Sequence, residues 1–284
     1  MVHIRRGRPE DAEACARICY AAFCGIANDH RFPPDFPSLE IPRWLMQMLL
    51  NHAGFHSLVA EVDGRLVGSN FLDERAVVAG LGPISVDPSV QNQRIGRRLM
   101  QAALDRVAER QFPGVRLVQT AYHARSLALY AELGFQVREP LACMQGPPLA
   151  LTFSDYHVRA ATVADLDDCD RVCWRVHGFH RRNAVTDAIE HGSARVVEHH
   201  GRITGYATDL AFPAHAVGET QHEIMALIGG ATAFGGPGIL VPMRDHALIS
   251  WCLGHGLRIV QVMTLMTIGL YNEPKGSYLP SILY

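Results

Sequence analysis

Apolar residues at 95, 99, 103 and 107, with 100, 104 and 108 beside them, recur at the helical period and predict a helix over 95–110. The segment Ile259-Val260-Gln261-Val262-Met263-Thr264-Leu265-Met266 is instead near-continuously apolar, the pattern of a strand covered on both faces. Between these extremes the elements follow from punctuation. A short strand at 2–6 precedes a helix opening at Pro9-Glu10-Asp11, where proline and acids suit a helix N-terminus. Pro33, Pro34 and Pro37 mark residues 24–41 as an irregular loop, followed by a helix over 43–51. Asp63-Gly64 is a hairpin signal between strands at 57–62 and 65–73. A strand at 78–86 is interrupted by Pro83, which lacks an amide donor. Beyond the 95–110 helix, a strand at 115–120, a helix at 124–133 and a strand from Phe135 complete the first half.

The chain then repeats its plan. Ile4-Arg5 aligns with Val158-Arg159 at a shift of 154, which also pairs Asp11, Cys15, Arg17 and Cys19 with Asp165, Cys169, Arg171 and Cys173. Further on, Val59-Ala60-Glu61-Val62-Asp63-Gly64-Arg65 reads like Val196-Val197-Glu198-His199-His200-Gly201-Arg202 at a shift of 137, and Gly68 matches Gly205. The smaller shift means a shorter connection in the second copy, as expected where loops vary and elements persist. Two domains are therefore expected, 1–147 and 156–284, joined near Gln145-Gly146-Pro147-Pro148. In the second, hairpin strands are expected near 195–198 and 203–210, helices near 219–234 and 244–254, and a strand near 239–241. The fold class is α/β, in α+β layers: each domain a mixed, mostly antiparallel sheet flanked by helices. The near-continuous 259–266 strand further implies a substantial contact between the halves.

Bulk properties narrow the function. With 284 residues, 48% hydrophobic and 19% charged, the chain can bury sizeable cores. A net charge of −2 and the lack of a long basic run argue against a nucleic-acid partner. No apolar run approaches the ~20 residues of a membrane span, and the basic N-terminus has no apolar segment behind it; a cytoplasmic protein without a membrane partner is expected. Seven cysteines at these spacings suit neither a disulfide framework nor zinc, and read as small buried residues. His199-His200 reads as a hairpin turn, and no metal site is expected.

One stretch carries chemistry. Val86-Asp87-Pro88-Ser89-Val90-Gln91-Asn92-Gln93-Arg94-Ile95-Gly96-Arg97-Arg98-Leu99 is a strand end, a loop and a helix start. Consecutive amides at a helix N-terminus form an anion site, and Gly96 would let the backbone approach a pyrophosphate. Arg94, Arg97 and Arg98 crowd the first turn, where cations are unfavourable unless a polyphosphate binds there.

This loop, with Leu129-Tyr130-Ala131-Glu132-Leu133-Gly134-Phe135 after the next strand, resembles the GNAT superfamily of N-acetyltransferases. The family's loop reads Gln or Arg, two residues, Gly, one residue, then Gly or Ala. Here Gln91 and Gly96 match, and Arg94 stands where the middle glycine belongs. The resemblance implies that the strand ending at Val86 splays from the one ending near Thr120. Acetyl-CoA, as co-substrate, would lie in that gap, its pantetheine arm along Ile84, Ser85 and Val86. Its phosphates would meet Gln91, Asn92, Gln93, Arg94, Ile95, Gly96 and Arg97, with His123 and Ser126 beside the arm. The resemblance makes the Val86 amide the donor to the thioester carbonyl and Tyr130 the general acid for the leaving thiolate. It also implies an acid as general base, and Asp73 and Glu74 are nearest in sequence, Glu74 being taken as the base unless a water relay serves. The acceptor would be a small-molecule or peptide amine, in a cleft bordered by residues 24–41; the oligomeric state is left open. The second copy lacks the loop: acids follow Val217-Gly218 directly, and Trp251 stands where Tyr130 would repeat. It resembles a degenerate GNAT domain. The alternative to an enzyme is a non-catalytic acyl-CoA-binding or regulatory module.

Overall fold

Helix α1 (Ala12–His30) starts as expected but runs through residues predicted to be loop. Positions 24–30 contain no proline, and Ala22 and Ala27 continue its buried face, so nothing stops the helix until Arg31 turns left-handed at φ 58°. The prolines confine the irregular loop to 31–39, and α2 (Glu40–Asn51) follows. The computed structural model describes residues 2–91 and 93–283.

Strands β1 (Val2–Arg6), β2 (Phe55–Val62) and β3 (Arg65–Asp73) form an antiparallel meander. Asp63 and Gly64 both take positive φ, as a two-residue turn that follows strand twist requires. The predicted 78–86 strand is two strands, β4 (Ala79–Leu81) and β5 (Ser85–Val86), separated at Pro83. Next come α3 (Ile95–Glu109), β6 (Gly114–Thr120), α4 (Ala124–Glu132) and β7 (Gln136–Gln145). Helix α3 seats Ile95, Leu99, Met100, Ala103 and Val107 on the sheet, where each large side chain contributes roughly 1.5–3 kcal/mol by burial. Leu99 is fully buried, so Leu99→Ala would cost about 2–5 kcal/mol.

The second half repeats the order in β8 (His157–Ala160), α5 (Leu166–His177), α6 (Arg182–Glu190), β9 (Arg195–His199), β10 (Arg202–Ala207), β11 (Ala216–Gly218) and α7 (Gln221–Gly230). Then follow β12 (Ile239–Pro242), α8 (His246–Gly254), β13 (Arg258–Gly269) and β14 (Ser277–Leu279). His200 and Gly201 take the same positive-φ turn as Asp63 and Gly64. The two glycines that the repeat aligns do the same work. A Cβ on Gly68 would lie 2.8 Å from the Ser85 carbonyl and 3.1 Å from Leu99 of α3; one on Gly205 would lie 2.7 Å from Cβ of Glu223 on α7. Cys15, Cys19, Cys169 and Cys173 are all buried on the inner faces of α1 and α5.

The sheets do not divide where the repeat does. Among the described residues one runs β1-β2-β3-β4-β6-β13-β7-β12, with β5 also on β3; the other runs β14-β11-β10-β9-β8. Strand β13 of the second half is inserted between β6 and β7 of the first, antiparallel to both, and β12 pairs with β7 beyond it. That position explains the apolar pattern in part: Met263–Thr267 are buried in mid-sheet, whereas Ile259 and Val262 nearer the strand start are 41% and 37% exposed. Arg75 adds a polar tie across the halves, bonding Asp73 and Asp187 at 2.6 Å each. Among the described residues no helix is long and apolar enough to cross a membrane.

Candidate active site

β4 and β6 pair in parallel only at Ala79–Val115 and Gly80–Arg116. Past that point β5 turns to β3, with Ser85 and Val86 opposite Ser69 and Gly68, and β6 continues toward Thr120 paired only with β13 on its other edge. The sheet is therefore open between β5 and the end of β6, and a cavity of about 470 Å³ fills the opening. Ile84, Ser85 and Val86 line one side, Leu117 to Thr120 the other. Gln91, Arg94, Ile95, Gly96 and Arg97 close one end, with His123, Ser126 and Tyr130 from the approach to α4 and α4 itself.

The loop into α3 is held from both sides. Asp87 accepts from the amide (2.9 Å) and hydroxyl (2.7 Å) of Ser89, and the Asp87 amide donates to the Val67 carbonyl at 2.8 Å. Gln91 donates to the Val86 carbonyl at 3.4 Å and accepts from Arg125 at 2.6 Å, tying the loop to strand end and α4. Arg94 caps α3 in the left-handed region, φ 59° and ψ 17°. That conformation costs a non-glycine residue about 1 kcal/mol. It explains physically why the resembling family places glycine there: the turn demands a positive φ, and this chain meets the demand with arginine. Gly96 faces the cavity, and a Cβ there would meet only Leu129 and Val86, at 3.8 Å. The protein itself leaves room for a side chain at 96; what glycine preserves is access to backbone from the cavity.

Arg97 lines the cavity and is paired with Glu132 of α4, whereas Arg98 is exposed and off the cavity wall. Gln93 is likewise exposed on the outer side of the bend, so the structure does not bring it to the cavity. Asn92 lies outside the described residues. His123 shares a 2.8 Å hydrogen bond between Nδ1 and the Ser126 hydroxyl; burial, helped by Arg125 and His30, pushes its pKa down to about 4 and keeps it neutral at pH 7. Tyr130 is buried in the core beneath α3 with Phe135 edge-on at 6.2 Å, and burial alone holds its phenol well above its ordinary value.

Glu74 requires a correction. β5 meets β3 at Gly68 and Ser69, so Glu74 stands five residues further along, about 17 Å away at ~3.4 Å per residue. There it is committed to Arg106, whose Nε donates to it at 2.8 Å, with Arg110 at 3.9 Å. Asp73 is likewise held by Arg75. Neither lines the cavity. The carboxylate that does, alone among the described lining residues, is Asp35, in the loop between α1 and α2. It accepts a hydrogen bond from Nε2 of Gln261 on β13 at 3.1 Å, and burial raises its carboxyl above the usual range. Sequence reading did not single it out; its one local signal is a carboxylate between Pro34 and Pro37 in otherwise apolar surroundings.

The corresponding place in the second half is closed. Thr220 caps α7 and Glu223, buried at 2% exposure, accepts from the Thr220 amide at 2.8 Å and hydroxyl at 2.6 Å. A carboxylate thus occupies the helix start that would otherwise receive an anion.

With this geometry in hand, comparison with known proteins is informative. Residues 23–135 match the Acetyltransferase (GNAT) family. The first half of the chain carries a GNAT acetyltransferase domain. No curated protein matches the chain by sequence. Among solved structures, a Pyrococcus horikoshii protein provisionally named an acetyltransferase superposes with a TM-score of 0.73 at 14% identity, covering 100% of this chain and 92% of that one. A GCN5-related N-acetyltransferase from Sphaerobacter thermophilus gives 0.64 at 16% identity, covering 96% of each. A tandem GNAT protein from the clavulanic acid biosynthesis pathway gives 0.60 at 13%, covering 95% of this chain and 98% of that one. At these identities the shared property is the fold, and it extends over both halves.

Proposed function

We propose that the first half catalyses direct transfer of an acetyl group from acetyl-CoA to an amine. The observation that carries the reading is that one cavity joins an anion-binding helix start, an opened sheet edge at Val86 and a buried phenol at Tyr130. Acetyl-CoA is a substrate here, with its pyrophosphate on the amides of Ile95 and Gly96 at the helix start and on Arg94 and Arg97, and its arm beside Ile84–Val86 in place of a neighbouring strand. The family match over residues 23–135 supports the same assignment.

The chemistry balances without a redox partner. The neutral amine attacks the thioester carbonyl, whose developing oxyanion is met by the Val86 amide. The C–N bond forms and the C–S bond breaks; the departing sulfur takes the Tyr130 proton, and the amide nitrogen returns one to the phenolate. The dry surroundings that raise the phenol keep it protonated until the thiolate appears.

Tyr130→Phe tests the reading, because the ring still packs and only the proton donor is lost. With acetyl-CoA and an amine panel, the parent is expected to release CoA thiol, and the variant to lose at least about tenfold in kcat with its affinity for CoA within twofold. A parent that binds CoA but acetylates no amine would make the domain a binding module, and a variant with undiminished kcat would place Tyr130 in the core alone.

A further inference from the structure

The wall of the cavity away from the coenzyme loop comes from both halves of the chain. Phe23, Phe36, Ile41 and Trp44 project from α1, the following loop and α2; Phe212 and Met263 come from the second half. Trp44 is 61% and Ile41 39% exposed, an apolar rim at the mouth of the cavity. The arginines on the cavity, Arg94, Arg97 and Arg125, belong to the loop and to the starts of α3 and α4. Asp35 lies instead in the loop between α1 and α2, where Nε2 of Gln261 donates to it at 3.1 Å. Tyr122, stacked on Phe32 at 4.1 Å, does sense Asp35, since its phenol is pushed up to about 12 by burial and then by that carboxylate. One acid in an aromatic and aliphatic chamber can neutralise one ammonium. A second charge on the same molecule would have to enter the apolar wall unpaired.

We infer that the acceptor is a small amine with a single positive charge on an apolar or aromatic body, received by Asp35. This rests on the acetyl-transfer reading above and deepens it. The amine arrives as the ammonium ion, and Asp35 takes one proton from it and later yields that proton to water. The freed amine then follows the steps already described, so that each turnover of ammonium releases one proton together with N-acetylamine and CoA thiol. Gln261 holds Asp35 from β13, which makes the second half a contributor to acceptor recognition without a coenzyme site of its own. Trp44 and Ile41 at the rim would cover the apolar body once it is bound.

The test uses the full chain with acetyl-CoA and four acceptor classes: phenethylamine and hexylamine, spermidine, kanamycin, and a short peptide with a free N-terminus. Thiol release and product mass are the readouts. The monoamines should exceed spermidine and kanamycin by about a hundredfold in kcat/KM, since a desolvated extra charge is strongly rejected. Asp35→Asn should lower kcat/KM for the monoamines about a hundredfold while leaving the Kd for CoA within twofold, and Trp44→Ala should raise their KM with kcat little changed. Turnover that favours spermidine, kanamycin or the peptide, or an Asp35→Asn variant as active as the parent, overturns this inference and leaves acetyl transfer standing. No turnover of any amine by the parent overturns both.

Discussion

Arg159 grips Asp165 with both arms of its guanidinium, at 2.7 and 2.8 Å, and holds Glu198 with its Nε at 2.7 Å. The same figure stands in the first half, where Arg5 holds Asp11 at 2.8 and 2.9 Å and Glu61 at 2.9 Å. Each arginine sits on the first strand, each aspartate at the entrance to the first long helix, and each glutamate on the second strand. The repeat read from the sequence is thus a repeat of a working part, a planar fork that fixes helix to sheet.

This part should govern acid stability. Hydrogen bonding to Arg159 is the first cause holding the Asp165 carboxyl below the usual carboxylate range. A carboxyl depressed in the folded state stabilises it fully above the unfolded value of about 3.9, and the contribution fades as pH falls through the folded one. Asp165→Asn is therefore expected to destabilise the protein by about 2 kcal/mol at pH 7, with the gap to the parent closing below about pH 4. Urea unfolding of both proteins across that range checks it; a gap that stays constant with pH would contradict the assignment.

The shared sheet predicts what happens when the chain is cut. Residues 1–147 alone would expose the β6 and β7 edges that β13 joins from Met263–Gly269 and Arg258–Thr267. Unpaired edges in mid-sheet associate with one another. The fragment should elute as oligomers or precipitate on size exclusion, and adding residues 156–284 in trans should restore a soluble complex. A fragment that is monomeric and fully active would contradict the fold described.

At the loop, Arg94 can be separated into backbone and side chain. Arg94→Gly keeps the left-handed turn and relieves its cost of about 1 kcal/mol, so its thermal midpoint should equal or exceed the parent's while its Kd for CoA rises about tenfold from one lost charge-assisted contact. Arg94→Ala should lose the same affinity with a midpoint close to the parent's, because alanine bears the same left-handed cost of about 1 kcal/mol as arginine. Unchanged affinity in Arg94→Gly would show the guanidinium to be solvated only.

Much of the molecule was legible because its signals are local. The 3.6-residue period drew α3 to within a residue, Asp63-Gly64 announced its turn, the second turn read at His199-His200 lies one residue on at His200-Gly201, and Pro83 marked the break between β4 and β5. The loop into α3 was legible for the same reason, being a continuous stretch. What escaped depends on distant partners. The apolar run at 259–266 said that a strand would be covered on both faces but carried nothing to say whose sheet it would enter. Asp35 matters only because Gln261 and the cavity lie beside it, which no property of the loop reveals. Glu74 was chosen by nearness along the chain, and a strand converts five residues of nearness into distance.

The position of β13 has a temporal side. A chain made from its N-terminus has β6 and β7 long before it has residues 258–269, so the strand that joins them in the larger sheet is synthesised after both of its neighbours. Throughout that interval the two edges flanking the gap stand bare on the ribosome, and the chamber lacks Met263 and the residue that steadies Asp35. The order of translation thus leaves the proposed acceptor site incomplete until residues 258–269 have been made, and the bare edges are where a nascent-chain chaperone would have reason to bind.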